Sequence, residues 1–305
     1  MNEAYRPERL LVPLVTPFAA GGPVDEEALA SHGQALLAAG AAGLVALATT
    51  GEASSLDHDE RALIVRICVR VCAEQDAVLV VGAGTNDTRT TIARHEALAD
   101  VPGVKASLAV VPYYVRPSEA AIVRHFQAVA ARSPVPLIVY NIPYRTGRGL
   151  GSSALLELAD TENIVGVKQA VGSIDTDTLQ LLAAARPSFS VLGGDDAFLF
   201  PLMLMGGRGA IAASANVATS LFAAMIDDAL AGDVVAGRAR AEALLPLVVA
   251  LFAEPSPAVI KGVLHAQGQI STPSVRMPLA DASPEAVAAA LTILDRLAAG
   301  VGAAA

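Results

Sequence analysis

The chain has 305 residues and a formal net charge of −9, with 53% hydrophobic and 17% charged residues. An acidic chain without basic clusters is not typical of a nucleic-acid-binding protein. Its longest uncharged stretches contain polar residues and glycines, which favours consecutive short elements over a membrane-spanning helix. The first residues lack the basic and apolar regions of a secretory signal, so we expect a cytoplasmic protein.

Eight short, β-rich apolar runs alternate with longer amphipathic, Ala-rich segments. The runs span residues 10–18, 44–49, 78–84, 105–113, 137–143, 164–170, 190–195 and 209–216. Such alternation is typical of βα units, and eight of them indicate a closed barrel. The competing doubly wound sheet needs a nucleotide-type glycine-rich turn, of which Gly82 and Gly84 supply only the first two glycines. We therefore predict an α/β fold, a TIM (β/α)8 barrel.

The pattern after residue 216 is helical only, with breaks at Gly232, at residues 254–257 and at residues 272–284. No Ser/Gly-rich or charged linker separates this part from the barrel. We therefore predict a barrel over residues 1–225 and a small C-terminal helical extension over residues 226–305 that packs on it.

Two cysteines, Cys68 and Cys72, lie four residues apart in one helical pattern. No metal-ligand spacing surrounds them, so we expect buried free thiols. No His-rich or carboxylate cluster indicates a metal, and no Walker sequence indicates a nucleotide. The sequence therefore predicts neither a metal nor a separate cofactor.

The chain has only three lysines, and one of them, Lys168, interrupts an apolar run at residues 164–171. An ammonium in apolar surroundings loses hydration, so its pKa falls and part of it becomes free amine. A free amine attacks carbonyl groups to form a Schiff base. The alternative is that Lys168 extends from a strand end to water. Its position alone leaves both interpretations open.

Catalytic groups in (β/α)8 barrels project from the C-terminal ends of the strands. Tyr140 stands there one strand from Lys168, where a phenol is placed to act as general acid and base. The hydroxyls of Thr50 and Tyr114 would complete a proton chain. The alternative is that Tyr140 is an ordinary strand residue.

Other residues at these strand ends suit carboxylate binding. Arg145 lies in a glycine-bounded loop, where a guanidinium either binds a substrate carboxylate in two places or forms a surface salt bridge. Thr49 and Thr50 either bind a second carboxylate or cap the next helix. Asp195 and Asp196 resemble an acid/base pair, but capping is the commoner use at a strand–helix junction.

Five segments, taken together, resemble the dihydrodipicolinate synthase and N-acetylneuraminate lyase family of class I pyruvate-dependent aldolases. They are Thr49-Thr50-Gly51-Glu52, Pro112-Tyr113-Tyr114-Val115-Arg116-Pro117, Tyr140-Asn141-Ile142-Pro143-Tyr144-Arg145-Thr146-Gly147, Gly166-Val167-Lys168 and Gly206-Gly207-Arg208-Gly209-Ala210-Ile211. The likeness runs from about residue 10 to residue 279 in the family's order and spacing. It implies a (β/α)8 barrel that assembles as a homotetramer, a dimer of dimers.

The resemblance also implies roles for individual residues. Lys168 would form a Schiff base with pyruvate and so need no other cofactor. Tyr140, Thr50 and Tyr114 would match the proton relay, with Tyr114 reaching into a neighbouring subunit's site. The pyruvate-binding positions implied are Thr49 and Thr50 for the carboxylate, and Gly193 and Ile211 for backbone groups of the pocket.

Arg145 is implied to bind the carboxylate of L-aspartate semialdehyde, as in the synthase branch of the family. This makes the chain a lyase that condenses pyruvate with the semialdehyde to 4-hydroxy-tetrahydrodipicolinate, towards lysine and diaminopimelate. The chain departs from the family pattern at Ala48, Val115, Gln169 and Tyr144. Two alternatives stay open: an aldolase acting on a sugar-derived or aromatic 2-keto acid, and a non-catalytic paralogue that binds a keto acid.

A last expectation concerns regulation. In feedback-sensitive members, lysine binds between subunits against two histidines and a glutamate. Here His58 matches one histidine, while Arg61 and Thr90 stand at the positions of the second histidine and the glutamate. A permanent positive charge and a missing counter-charge oppose binding of a cationic ligand. We therefore expect lysine to inhibit weakly or not at all.

Overall fold

The computed structural model describes residues 5–302, and the eight apolar runs form a closed barrel of parallel strands. Each strand pairs with its neighbour in the chain, and the last pairs with the first. The strands are β1 (Arg9–Pro13), β2 (Gly43–Ala46), β3 (Val78–Gly82), β4 (Val104–Val110), β5 (Leu137–Asn141), β6 (Ile164–Gln169), β7 (Ser190–Gly193) and β8 (Gly209–Ile211). The predicted TIM barrel is confirmed.

Helices surround the barrel and form the C-terminal region. They are α1 (Glu26–Ala38), α2 (His58–Glu74), α3 (Thr88–Glu96), α4 (Glu119–Ala130), α5 (Pro143–Thr146), α6 (Ser152–Ala159), α7 (Thr176–Ala184), α8 (Leu199–Leu204), α9 (Ala215–Ala231), α10 (Val234–Leu251), α11 (Ala258–Ala266) and α12 (Pro284–Gly302). Among the described helices, none combines the length and the apolar character needed to cross a bilayer.

Strand residues alternate between two apolar layers, because successive side chains of a strand point to opposite faces. Leu11, Ile138 and Leu192 belong to a cluster drawn from strands around the barrel, which fills its interior. Leu10 and Val12, the neighbours of Leu11, pack in the outer layer against helices. Burial on both faces explains why the runs are continuously apolar.

The apolar runs continue past the ends of the strands. β1 ends at Pro13 and β8 at Ile211, several residues before the corresponding runs end. Most of the remaining residues form loops at the C-terminal mouth of the barrel, although Ala215 and Asn216 already belong to α9. These loops carry much of the site described below.

The C-terminal helices pack in the outer apolar layer, which lies between the barrel strands and the helices. Leu247 of α10 and Ile260 of α11 belong to the same apolar cluster as Leu10 and Val12. The expected division at residue 225 falls inside α9, which continues to Ala231 and ends at Gly232 with φ +79°. Residues 1–4 and 303–305 of the two expected regions lie outside the described residues.

Cys68 and Cys72 lie on α2 and are buried free thiols, as the sequence predicts. Burial raises the pKa of the Cys72 thiol to about 11. Thiols that stay protonated in this way are poor nucleophiles. They therefore contribute to packing.

Candidate active site

A cavity of about 340 Å³ opens at the C-terminal ends of the strands. Val248 and Val249 of α10 form part of its wall, so the C-terminal region helps to enclose it. The polar side chains that line it are those of Thr49, Thr50, Tyr140, Tyr144, Arg145, Lys168, Asp195, Asp196 and Ser256. Most of the predicted site residues therefore meet in one place.

Lys168 lies on β6, directly beside Tyr140 of β5 in the strand register. Its side chain is buried, and Nζ lies 4.5 Å from the centre of the Tyr140 ring. Burial lowers the pKa of Lys168 to about 8, although the charges of Asp196 and Asp195 oppose the change. About a tenth of such an amine is unprotonated at pH 7. The structure therefore supports the desolvated amine over a lysine that extends to water.

Tyr140 is buried, and burial raises the pKa of its phenol above the ordinary value. The charge of Arg145 and a side-chain interaction with Thr49 lower that pKa in part. The expected relay has Thr50 as the partner of Tyr140. Thr50 is buried and lines the lysine cavity, and its part in the relay stays a prediction.

The two threonines lie in a 3₁₀ turn, Thr49–Gly51, that follows β2. Neither caps α2, since Asp57 is the N-cap of that helix and forms a capping box with Glu60. The capping interpretation of Thr49 and Thr50 is therefore wrong. Both threonines line the cavity of Lys168, and carboxylate binding by them stays a prediction.

Tyr114 does not reach the cavity of its own chain. Its side chain is 88% exposed, and its backbone has φ +70°, a conformation uncommon for a bulky residue. Tyr113, its neighbour, lines a second cavity, which Thr49 and Tyr140 also line. Within one chain, the proton chain expected to run from Tyr140 to Tyr114 is therefore incomplete.

Arg145 lies in α5, at the outer part of the cavity, and is held by its neighbour Tyr144. Its Nε donates a hydrogen bond to the Tyr144 hydroxyl at 3.0 Å, and its Cζ lies 5.1 Å from the centre of that ring. Among residues 5–302, no carboxylate pairs with the Arg145 guanidinium. The surface salt bridge is thus not observed, and the guanidinium stays available for an anionic ligand.

Asp195 and Asp196 were expected to cap the helix after β7, and this is wrong. Neither carboxylate caps the short turn that follows. Instead, Asp195 accepts a hydrogen bond from the backbone of Gly172 at 2.7 Å, and Asp196 accepts one from that of Ser214 at 2.6 Å. Among residues 5–302, Asp196 Oδ1 has no hydrogen-bond partner, and burial raises the pKa of this carboxyl. Both carboxylates line the lysine cavity, where their negative charges raise the pKa of Lys168 and so oppose the effect of burial.

The two backbone positions implied for the pocket lie slightly away from it. Gly194 lines the cavity, whereas Gly193, the expected residue, packs towards Leu199 of α8. A Cβ on Gly194 would lie 2.8 Å from Cε of Lys168, so only glycine leaves room there. Ile211 is fully buried in the interior layer beneath, in the same cluster as Tyr140.

Gln169, a departure from the family pattern, has a structural use. Its Oε1 accepts a hydrogen bond from Asn141 Nδ2 at 3.0 Å, and its Nε2 donates one to Thr178 at 3.1 Å. Asn141 and Gln169 are neighbours across β5 and β6. The bonds therefore fix the ends of the two strands that carry Tyr140 and Lys168.

In the described part of the chain, no group of three or more His, Cys, Asp or Glu side chains is arranged to hold a metal ion. The polar groups of the cavity are instead one amine, one guanidinium, hydroxyls and two carboxylates. This set suits covalent catalysis by an amine with proton transfer.

Comparison with known proteins gives consistent results. The profile of the dihydrodipicolinate synthetase family matches residues 6–296. The 4-hydroxy-tetrahydrodipicolinate synthase of Neisseria meningitidis serogroup C is 39% identical over 269 residues, which cover 88% of this chain and 91% of that protein.

Solved structures agree. Dihydrodipicolinate synthase from Thermotoga maritima superposes with a TM-score of 0.91 at 30% identity, covering 96% of this chain and 99% of that one. A structure described as the first monomeric dihydrodipicolinate synthase variant gives a TM-score of 0.90 at 29% identity, covering 94% and 96%. With the family profile matched over nearly its whole length, the chain belongs to the dihydrodipicolinate synthetase family.

Proposed function

We propose that this chain condenses pyruvate with L-aspartate semialdehyde through a Schiff base on Lys168, and releases 4-hydroxy-tetrahydrodipicolinate. The observation that carries the proposal is the buried amine of Lys168, with its pKa lowered to about 8 and the Tyr140 ring 4.5 Å from Nζ. The names of the curated relatives support the choice of reaction.

The first step needs the free amine. The Nζ lone pair attacks the keto carbon of pyruvate, a C–N bond forms, and the carbonyl oxygen leaves as water. The oxygen takes up two protons, one from the attacking nitrogen and one from the phenol of Tyr140, which stays protonated at neutral pH because its pKa is raised. The Tyr140 oxygen then accepts a methyl proton, which gives the enamine, the nucleophile that attacks the aldehyde. The amino group of the semialdehyde next adds to the Schiff-base carbon, and the bond from that carbon to Nζ breaks, which releases the cyclic product and restores the free amine.

Each substrate has one carboxylate, and we assign one to the Thr49–Gly51 turn and the other to Arg145. The turn lines the same cavity as Lys168 and suits the carboxylate of pyruvate. Arg145 lies at the outer part and suits the carboxylate of the aldehyde, since its guanidinium forms no ion pair with any described carboxylate. In this proposal Thr49 transfers protons and Thr50 binds the carboxylate. Gly194 leaves room for the covalent adduct.

A complete proton chain requires more than one copy of this chain. Tyr114 is 88% exposed with a positive φ, as fits a side chain that is held by contacts outside its own subunit. We propose that it enters the second cavity of a neighbouring copy, which Thr49 and Tyr140 also line. The assembly proposed is a homotetramer, a dimer of dimers.

Mass measurement and an acceptor screen together test the proposal. Pyruvate with borohydride should give a stable adduct on the protein, and aspartate semialdehyde should then be consumed in a coupled assay. An adduct with activity only towards sugar-derived or aromatic aldehydes would favour the related aldolase. Pyruvate binding without an adduct would favour the non-catalytic paralogue.

A further inference from the structure

A buried ion pair joins the Thr49–Gly51 turn to the C-terminal region. Glu52, the residue after the turn, accepts at Oε1 a hydrogen bond from Lys261 Nζ at 2.9 Å. Neither side chain has exposed surface, and Lys261 lies on α11, 209 positions further along the chain. Removing two charges from water is costly, and apolar residues of the same size often stabilise a fold as well. Stability alone is therefore a weak explanation for the pair.

The second oxygen of Glu52 is held by the same region. Oε2 accepts a hydrogen bond from the backbone N–H of Arg276 at 2.7 Å. The backbone of Glu52 has φ +54°, which non-glycine residues rarely adopt. Such a conformation persists where surrounding contacts over-determine it. Both carboxylate oxygens supply those contacts here.

Further contacts hold the turn and the ammonium in place. The Gly51 carbonyl accepts a hydrogen bond from Thr16 Oγ1 at 2.7 Å. The Lys261 ammonium lies 4.1 Å from the centre of the Phe18 ring. Thr16 and Phe18 both belong to the segment after β1, so that segment and the C-terminal region both contact the turn or the ion pair attached to it.

We propose that Glu52 and Lys261 are positioning residues that hold Thr49 and Thr50 in place beside Lys168. The inference rests on the proposed function, because it assigns the turn to the carboxylate of pyruvate. A shift of about 1 Å in a reacting group can cost about 10²-fold in rate. The C-terminal region is then part of the substrate-binding apparatus as well as part of the core.

Three variants of the full-length protein test the proposal: Glu52→Gln, Lys261→Met and the double variant. Each single variant leaves one buried charge unpaired, so it should lower the thermal midpoint. Each should also raise KM for pyruvate by about tenfold, the size of a lost hydrogen bond to a charged group. The double variant leaves no unpaired charge and should recover most of the midpoint. Its KM should stay raised, because the ammonium no longer holds the turn.

The control is Arg240→Met, which breaks a less buried ion pair with Asp228 at 2.7 Å between α9 and α10. It should lower the midpoint and leave KM for pyruvate unchanged. A double variant whose KM is within twofold of wild type would overturn the positioning role, including where the single variants fail to fold. Wild-type protein that forms no adduct with pyruvate would instead overturn the proposed function, and this inference with it.

Discussion

Two of the three lysines are buried, and they show two different ways of keeping an amine inside this protein. Lys261 beneath the turn has the Glu52 carboxylate 2.9 Å from its Nζ. Lys168 forms no ion pair among residues 5–302 and faces a phenol ring and the cavity. Both lysine side chains are buried, so the two differ mainly in the groups that they contact.

That difference decides what each amine can do. Burial lowers the pKa of both lysines, but the charge and hydrogen bond of Glu52 oppose the change at Lys261. At Lys168 the opposing carboxylates, Asp196 and Asp195, act without a direct contact, and the pKa falls to about 8. A buried lysine with a partner is a structural cation, whereas one without a partner supplies a nucleophile.

The largest effect should come from removing the nucleophile. Lys168→Ala and Lys168→Arg should each reduce kcat by at least about 10³-fold, because the arginine keeps the charge but cannot form the Schiff base. Lys105→Ala, at an exposed position, is the matched control and should behave as wild type. Turnover by Lys168→Arg within tenfold of wild type would show that the two buried lysines have been assigned the wrong roles.

Removing the phenol beside Lys168 should have the next largest effect. Tyr140→Phe keeps the ring against the ammonium but removes the proton carrier, so kcat should fall by about 10²-fold. Steady-state kinetics with both substrates measure this. A rate within threefold of wild type would reduce Tyr140 to a packing residue.

The two threonines offer a finer distinction. Because Thr49 contacts the phenol, Thr49→Val should chiefly lower kcat, by about tenfold. Thr50→Val should chiefly raise KM for pyruvate by a similar factor of about ten. The opposite pattern would restore the relay that the sequence alone suggested.

Replacing Arg145 tests whether the carboxylate of the semialdehyde is bound at a different place from the carboxylate of pyruvate. Arg145→Ala should raise KM for aspartate semialdehyde by about tenfold or more, since a charged two-point contact is lost. Adduct formation with pyruvate should survive. Unchanged kinetics with the semialdehyde would favour an aldolase with another acceptor.

The pH dependence follows from the pKa of Lys168. Only the unprotonated amine reacts, so the rate of adduct formation should rise with pH and level off above about 8. Asp196→Asn removes a charge that raises the pKa of Lys168, so the midpoint should move to lower pH. A midpoint near the ordinary lysine value would mean that Lys168 is solvated as freely as a surface lysine.

The smallest expected effect is inhibition of the activity by free lysine. Arg61 is partly buried and donates a hydrogen bond to the Ala53 carbonyl at 2.8 Å, while Thr90 is bonded to Asp87. Neither supplies the negative charge that a cationic ligand needs, so lysine should inhibit weakly or not at all. Half-inhibition below about 1 mM, worth about 4 kcal/mol, would contradict this.

The barrel could be predicted because the eight runs are continuously apolar, and this can be seen in each segment of the sequence by itself. Several predicted strands extend beyond the observed strand ends, because the loops at the C-terminal mouth of the barrel are as apolar as the strands. The sequence also pointed to Lys168 and Tyr140, which the fold places side by side on β6 and β5, while their catalytic roles stay predictions.

Contacts between distant segments were beyond it. Lys261 also interrupts an apolar stretch, and only the fold shows that Glu52 is its partner. The same applies to Asp196, whose carboxylate reaches Ser214 instead of its own helix, and to Gly194, which faces a side chain of another strand.

The comparison of the two lysines is tested most directly by mapping the adduct. Wild-type protein is reduced with borohydride in the presence of pyruvate, digested, and its peptides are analysed by mass spectrometry. The adduct should lie on Lys168 and be absent from Lys261 and Lys105. An adduct on Lys261, or none on Lys168, would contradict the account.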